Sequence, residues 1–284
     1  MLAGICHRVR MSNILSKEKQ QIVIGALSEG NSIRSIERMS GIHRDTIMRL
    51  GVRVGQACEK ILDAKMRGLN CSQIEVDEIW GFVGKKQVHA SQIDRRAGLG
   101  DVWTFLSIDP ATKLMPSFLV GKRDHYHATA FMEDLAGRLN NRIQLSSDAL
   151  GAYADAVERA FGAEIDYAQI VKEYSSPSRE DQRKYSPAQL SAVFKTAIVG
   201  EPNPAKVCTS YIERANLTVR THCKRLARLT LAFSKKLGNF KAAVALHLAY
   251  YNLVKTHGSL RCTPAMEAGI ANSAWKVSDL VDAA

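Results

Sequence analysis

Glu213 is a lone acid in a field of cations. Between positions 206 and 241 it faces nine Lys/Arg, at 206, 214, 220, 224, 225, 228, 235, 236 and 241. Residues 211–229 read as one helix, and Glu213 and Arg220, seven positions apart, return to the same face after two turns. A solvated, charged surface helix accounts for this pattern. So does a carboxylate that holds a hard cation, which prefers oxygen ligands, beside basic residues that hold a polyanion. The second reading needs partner carboxylates from elsewhere in the chain.

Two stretches offer them. In 73–83, Ile74, Val76, Ile79, Trp80, Phe82 and Val83 predict a strand closed by Gly84, with Asp77 in its middle. A carboxylate embedded there is costly to bury alone, so it must be protonated, paired or metal-bound. Its neighbour Glu78 falls on the opposite face by strand alternation and is expected in solvent. Asp148 follows a short strand expected over 142–146, at its carboxyl end, where open α/β sheets assemble their sites. Taken alone, it is better explained as the N-cap of a helix over 153–161. Asp109 belongs to the turn Asp109-Pro110-Ala111-Thr112-Lys113.

The elements that position these acids follow from periodicity. Ser16 and Ser32 cap two short helices, and a third starts near His43, which is the helix-turn-helix pattern. His43, Arg44, Asp45, Thr46 and Arg49 then open the recognition helix, where side chains reach bases and phosphates. Gly51 and Gly55 weaken that helix and mark a bend or break. After the first strand come a basic loop over 85–100, in which Lys85 and Lys86 face phosphate or solvent, and strands over 102–108 and 114–121. A helix over 128–139, the strand before Asp148, the helix over 153–161 and a fifth strand over 165–170 complete the core. The segment 171–205, with Pro177, Pro187, Pro202 and Pro204, reads as a mobile excursion carrying a short helix over 188–196. The order is β-β-β-α-β-α-β-α.

The bulk numbers fit a globular chain with a polyanionic partner. It has 284 residues, 46% hydrophobic and 24% charged, with a formal charge of +11 and a pI near 9.4. No apolar run approaches a membrane span. Six scattered cysteines form no zinc or disulfide framework, as in a reduced cytoplasm, and Cys6-His7 is a weak metal hint. Residues 1–10 are too short and too weakly apolar for a signal peptide, and Met11 is an alternative start.

The order of elements, with VDEIW (76–80), LSSDALGAYADAVERAFG (145–162), YIERANLTVR (211–220) and YYNLVKTHGSLRCTPAMEAG (250–269), resembles the DDE transposases of the insertion-sequence-one type. These share a core with ribonuclease H and the retroviral integrases. The resemblance implies a ribonuclease-H-like α/β core, a mixed five-stranded sheet flanked by helices, behind an N-terminal all-α helix-turn-helix domain. It implies a disordered N-terminus over 1–12, the DNA-binding domain and a helical linker over 13–70, the catalytic domain over 71–270 and a C-terminal tail over 271–284. Members often carry an N-terminal zinc-finger-like cysteine cluster, absent here, and the helix-turn-helix takes its place.

By that resemblance Asp77, Asp148 and Glu213 match the family's acidic triad, spaced 71 and 65 residues apart. Three such carboxylates suit two Mg²⁺ ions, with Mn²⁺ as a substitute, that clamp an in-line phosphoryl transfer at roughly 3.5–4 Å separation. Arg220, Lys224, Arg225 and Arg228 are candidates for phosphate contacts, and Asn252 and His257 for supporting roles that fix the neighbouring loop. The implied partners are double-stranded DNA, as transposon ends and target, and further copies of the chain, with no membrane; the implied location is the bacterial cytoplasm, at the nucleoid. A retired, DNA-binding regulator and a ribonuclease-H-like nuclease are the alternatives.

Overall fold

A computed structural model describes residues 14–175 and 190–284. The expected disordered stretch 1–12, with Cys6-His7 and Met11, lies outside the described residues, as does 176–189 of the expected excursion. Three helices lead: α1 (Lys17–Ser28), α2 (Ile33–Ser40) and α3 (Arg44–Lys65). The Ser16 and Ser32 hydroxyls accept from Lys19 N and Ser35 N, and Gly41 closes α2 at φ 68°, a conformation that costs glycine little.

The expected break in α3 is absent: one helix runs over Arg44–Lys65, and its glycines serve packing. A Cβ on Gly55 would stand 2.1 Å from the Ala242 carbonyl oxygen, and one on Gly51 would stand 2.9 Å from Leu27 Cδ1. Helix α3 thus lies backbone to backbone on a late helix, α8 (Leu237–Ala249).

The central sheet has six strands, one more than expected: β1 (Gln73–Val83), β2 (Gly100–Ile108), β3 (Phe118–Gly121), β4 (Ile143–Asp148), β5 (Ile165–Tyr174) and β6 (Leu190–Val199), in the order β3-β2-β1-β4-β5-β6. Strands β1, β4 and β5 run parallel, and the other three pair antiparallel. Strand β6 replaces the expected helix over 188–196. Its Val193, Phe194, Ile198 and Val199 suit a pleated ladder, and β5, longer than expected, supplies the edge it pairs with. The apolar pattern alone leaves helix and strand indistinct over so short a run.

Register sorts the sheet into two faces. Glu78 pairs with Phe105, and that face is covered by α5 (His125–Ala136) and α6 (Gly151–Phe161), with Phe105 packed against Phe131 and Tyr153. A five-residue helix, α4 (Gln92–Arg96), interrupts the basic loop after β1. Asp77, on the other face, looks toward α7 (Ser210–His222), which buries Ile212, Ala215, Asn216 and Val219 at helical spacing. Gly81 on this face leaves room for Leu226 and Phe240.

Helix α7 stops seven residues before the expected end at Leu229. Nothing in THCKRLARL breaks a helix locally. Tertiary pairing does it: the chain turns at Cys223 and returns to the end of β1, where Gly84 N donates to Ser234 O at 2.8 Å.

The N- and C-terminal segments share the core. One buried cluster runs from Val23 and Ile24 through Ile74 and Phe105 to Leu280. Buried Arg138 donates to the Leu62 and Met66 carbonyls and pairs with Asp63 and Asp134, locking the end of α3 to α5. The stretch expected as a tail carries α9 (Pro264–Glu267) just before it and forms α10 (Val277–Asp282), which docks on α1 through a 2.7 Å Lys17–Asp282 ion pair.

Candidate active site

Two parallel strands bring the first two acids together. Strand β1 pairs with β4 from Gln73–Gln144 to Glu75–Ser146, where the ladder ends. Carried two residues further, the same register sets Asp77 opposite Asp148. Here β4 keeps only its bonds to β5 (Asp148 pairs with Ile170), while β1 keeps only those to β2. The strands part, and a crevice opens at the place where α/β sheets gather reacting groups.

Asp77 Oδ1 accepts from Glu78 N at 2.8 Å, and Oδ2 accepts from the Asn216 amide at 2.7 Å. Burial pushes its carboxyl up to about 7, and the charges of Glu78, Asp148 and Glu213 add to the rise. Asp148 is not the N-cap of α6: that position is Leu150, without a side-chain bond. Asp148 Oδ1 accepts from Leu150 N at 3.0 Å, which leaves Oδ2 toward the crevice and 3.9 Å from Arg123 Nη2.

Glu78 is not in solvent. Its buried carboxylate accepts from Arg123 Nε at 2.6 Å and from the Tyr153 hydroxyl at 2.9 Å. Burial and the nearby Asp148 raise its affinity for a proton. Oxygens of Asp77, Glu78 and Asp148 all lie within 4.8 Å of one another, a donor set that could hold a metal ion.

Glu213 lines the same crevice from the first turn of α7. The crevice measures about 510 Å³ and is also lined by Arg123, Lys172 and Thr209. The Glu213 carboxylate accepts from the Thr209 hydroxyl at 2.8 Å and pairs with Lys172 of β5. It stands outside the tight group of three, held on the far wall. Two residues before Asp77, fully buried Glu75 accepts from Tyr211 N at 2.9 Å and Ile212 N at 3.0 Å. An anion at a helix N-terminus is favourable, and this one pins the start of the Glu213 helix to β1. Burial pushes Glu75 up to about 7.

The basic candidates separate. Arg220 is half-buried, and its Nη1 donates to Leu226 O at 3.2 Å and reaches Trp80 O at 3.5 Å. Arg225 donates to Ala232 O at 2.8 Å. Lys224 is half-exposed and Arg228 exposed, both beyond the end of α7. Lys85 pairs with Asp94 at 3.0 Å, and Lys86 lies 5.7 Å over the Trp80 ring.

His43 caps α3 by accepting from Asp45 N, while Arg44 and Arg49 stand exposed and Thr46 half-exposed on its first turns. Asn252 is fully buried, carried inward by a π-helical turn, and its amide bonds both N and O of Met115. His257 Nδ1 faces Ser259 within its own loop. Sequence reasoning missed Asn216, Glu75, Arg123, Tyr153 and Lys172. Asn216 alone had a signal, three residues after Glu213 on the same face.

Residues 199–251 match the family model of the IS1 transposase. The match holds Glu213, Asn216 and Arg220, so the resemblance read from the sequence stands on the helix that closes the crevice. Among curated proteins none matches. Among solved structures, the piggyBac transposase synaptic complex with hairpin DNA, seen by cryo-EM, aligns at a TM-score of 0.40 and 11% identity, over 97% of this chain and 73% of that one. No described helix is long and apolar enough to cross a membrane.

Proposed function

We propose that this chain is a DNA transposase with a ribonuclease-H-like core, which cleaves strands at transposon ends and joins them to target DNA by metal-dependent phosphoryl transfer. The observation that carries the reading is the closeness of Asp77 and Asp148, whose oxygens lie within 4.8 Å, with Glu213 on the same crevice. Asp77, Asp148 and Glu213 offer only carboxylate oxygen, which fits hard divalent cations. Asp77, Asp148 and Glu213 would hold two Mg²⁺, or Mn²⁺ in their place. Bound there, the ions supply charge neutralisation for the attacking and leaving oxygens.

The chain's own residues do the rest. Asn216 fixes the orientation of Asp77 by donating to Oδ2. Arg123 and Tyr153 hold Glu78, so that its charge is compensated by protein and the ligand set falls to the triad. Lys172 neutralises Glu213 until a cation replaces it. No protein nucleophile is required: water opens the strand, and the freed 3′-hydroxyl attacks the target phosphodiester. In this reading α2 and α3 act as a helix-turn-helix, and His43, Arg44, Thr46 and Arg49, on the first turns of α3, contact the duplex; the exposure of Arg44 and Arg49 supports it. Lys224, Arg228, Lys85 and Lys86 contact phosphates, and two ends joined in one event call for a homo-oligomer.

The test is incubation of the full chain with Mg²⁺ and a duplex carrying the repeats that flank its gene. Strand nicking at the repeat ends, absent in EDTA, is the expected result. Cleavage of an RNA–DNA hybrid instead identifies a nuclease. Tight duplex binding without any cleavage identifies a regulator.

A further inference from the structure

A second cavity, of about 590 Å³, lies between the helix-turn-helix and the segment that follows α7. That volume falls within the roughly 300–1,000 Å³ of small-molecule sites. Its apolar walls include Ile47, Leu246 and Phe233, and its rim carries Arg34, Arg44, Lys224, Arg225 and Lys235. Among the described residues, no acid lines it.

Its floor is polar and unsatisfied. The hydroxyls of Ser28 and Ser234 are buried, at 1% and 2% exposure, and have no hydrogen-bond partner among the described residues. Buried hydroxyls left this way cost free energy unless something else bonds them. His247, also lining the cavity, is buried beside them and lowered to about 3, chiefly by burial, so its ring is neutral and offers a donor and an acceptor. An aromatic wall, a cationic rim and a floor of neutral donors and acceptors match one chemistry: a planar heterocycle joined to a phosphate.

We infer that this cavity binds one nucleotide, with its base against Phe233 and over Ser28 and Ser234, whose enclosed hydroxyls turn to meet it, and its phosphate at the Arg34–Lys235 rim. The inference rests on the transposase reading for its setting. Cys223, on the cavity wall, lies ten residues beyond Glu213, roughly 15 Å along the axis of α7. Arg44 and Ile47 of α3 form the opposite wall.

The experiment titrates the full chain, without divalent metal, with 2-aminopurine deoxynucleoside monophosphate and with a short single strand bearing 2-aminopurine at one position. Saturable quenching by the monophosphate assigns the site to a free nucleotide as well. Quenching only within the strand assigns it to a nucleotide of DNA. Ala243→Phe, which fills the cavity, should abolish quenching, and Arg34→Glu, an exposed change that spares the core, should weaken it about tenfold. No quenching with either probe, or quenching that both variants leave intact, overturns the inference. Loss of the transposase reading is seen separately, as absent metal-dependent cleavage with quenching retained.

Discussion

The Asn216 amide donates to Asp77 Oδ2 at 2.7 Å, across 139 positions of chain. One hydrogen bond thus ties the helix of Glu213 to the strand of the first acid. Glu75 repeats the tie two residues earlier by capping the same helix. Asn216→Leu leaves Asp77 with one donor and free to rotate. Cleavage should fall about 10- to 100-fold, with the Mg²⁺ requirement raised and duplex affinity unchanged. A metal titration of the cleavage rate measures this.

Acidity at the site makes the metal-free fold sensitive to pH. Asp77 and Glu75 are both raised to about 7 by burial. A carboxyl raised in the folded state lends stability that is fully present below its unfolded value near ~4 and is lost as pH rises through the folded value. In EDTA, stability should therefore drop between pH 6 and 8, by about 1.4 kcal/mol for Asp77. Asp77→Asn should remove its share of the drop and leave that of Glu75, and Mg²⁺ should recover more stability at pH 8 than at pH 6. Urea unfolding at the two pH values, with and without Mg²⁺, checks both signs.

Much of the arrangement is legible in the sequence, and its failures share one cause. Strand β1, with Asp77 at its middle, follows from β-forming residues bounded by Gly84. Its pairing with β4 beside Asp148 rests on register, which a single strand does not state. Glu78 was placed in solvent because alternation gives the opposite face but not whether helices cover it, and α5 and α6 do. Helix α7 was drawn too long because its end is set by the return of Ser234 to β1. Gly51 and Gly55 suggest a bend or break because local propensity cannot see the neighbour that needs the space. Lys172 and Arg123 sit on ordinary polar stretches and become site residues only through distant partners.

That close approach predicts the cost of filling it. Gly55→Ala places a methyl 2.1 Å from the Ala242 carbonyl oxygen, part of a helix backbone that cannot yield cheaply. The helix propensity gained, about 1 kcal/mol, is outweighed by overpacking. The variant should lose about 1–3 kcal/mol in chemical denaturation, while Gly258→Ala, in open space, should change little.

The late basic residues divide into two roles. Arg225 spends its guanidinium on the Ala232 carbonyl, so Arg225→Ala should lower the melting temperature. Arg228 is exposed. Arg228→Glu should leave melting unchanged, weaken duplex binding alike for end and unrelated sequences, and reduce the salt dependence of affinity. Arg220 bridges the Leu226 and Trp80 carbonyls, so its replacement should disturb the 223–235 segment as well as any phosphate contact. Fluorescence anisotropy over a salt series, beside thermal melts, separates the roles.

In the proposed site Glu213, now paired with Lys172, would complete the metal ligands with Asp77 and Asp148, and Glu78 would not. Single-turnover cleavage of a repeat-end duplex in Mg²⁺, compared among wild type, Glu213→Gln and Glu78→Gln, tests it most directly. Glu213→Gln should abolish strand cleavage while binding the duplex normally, and Glu78→Gln should retain measurable cutting. A Glu213→Gln protein that cuts at the wild-type rate, with cleavage lost instead in Glu78→Gln, would contradict it.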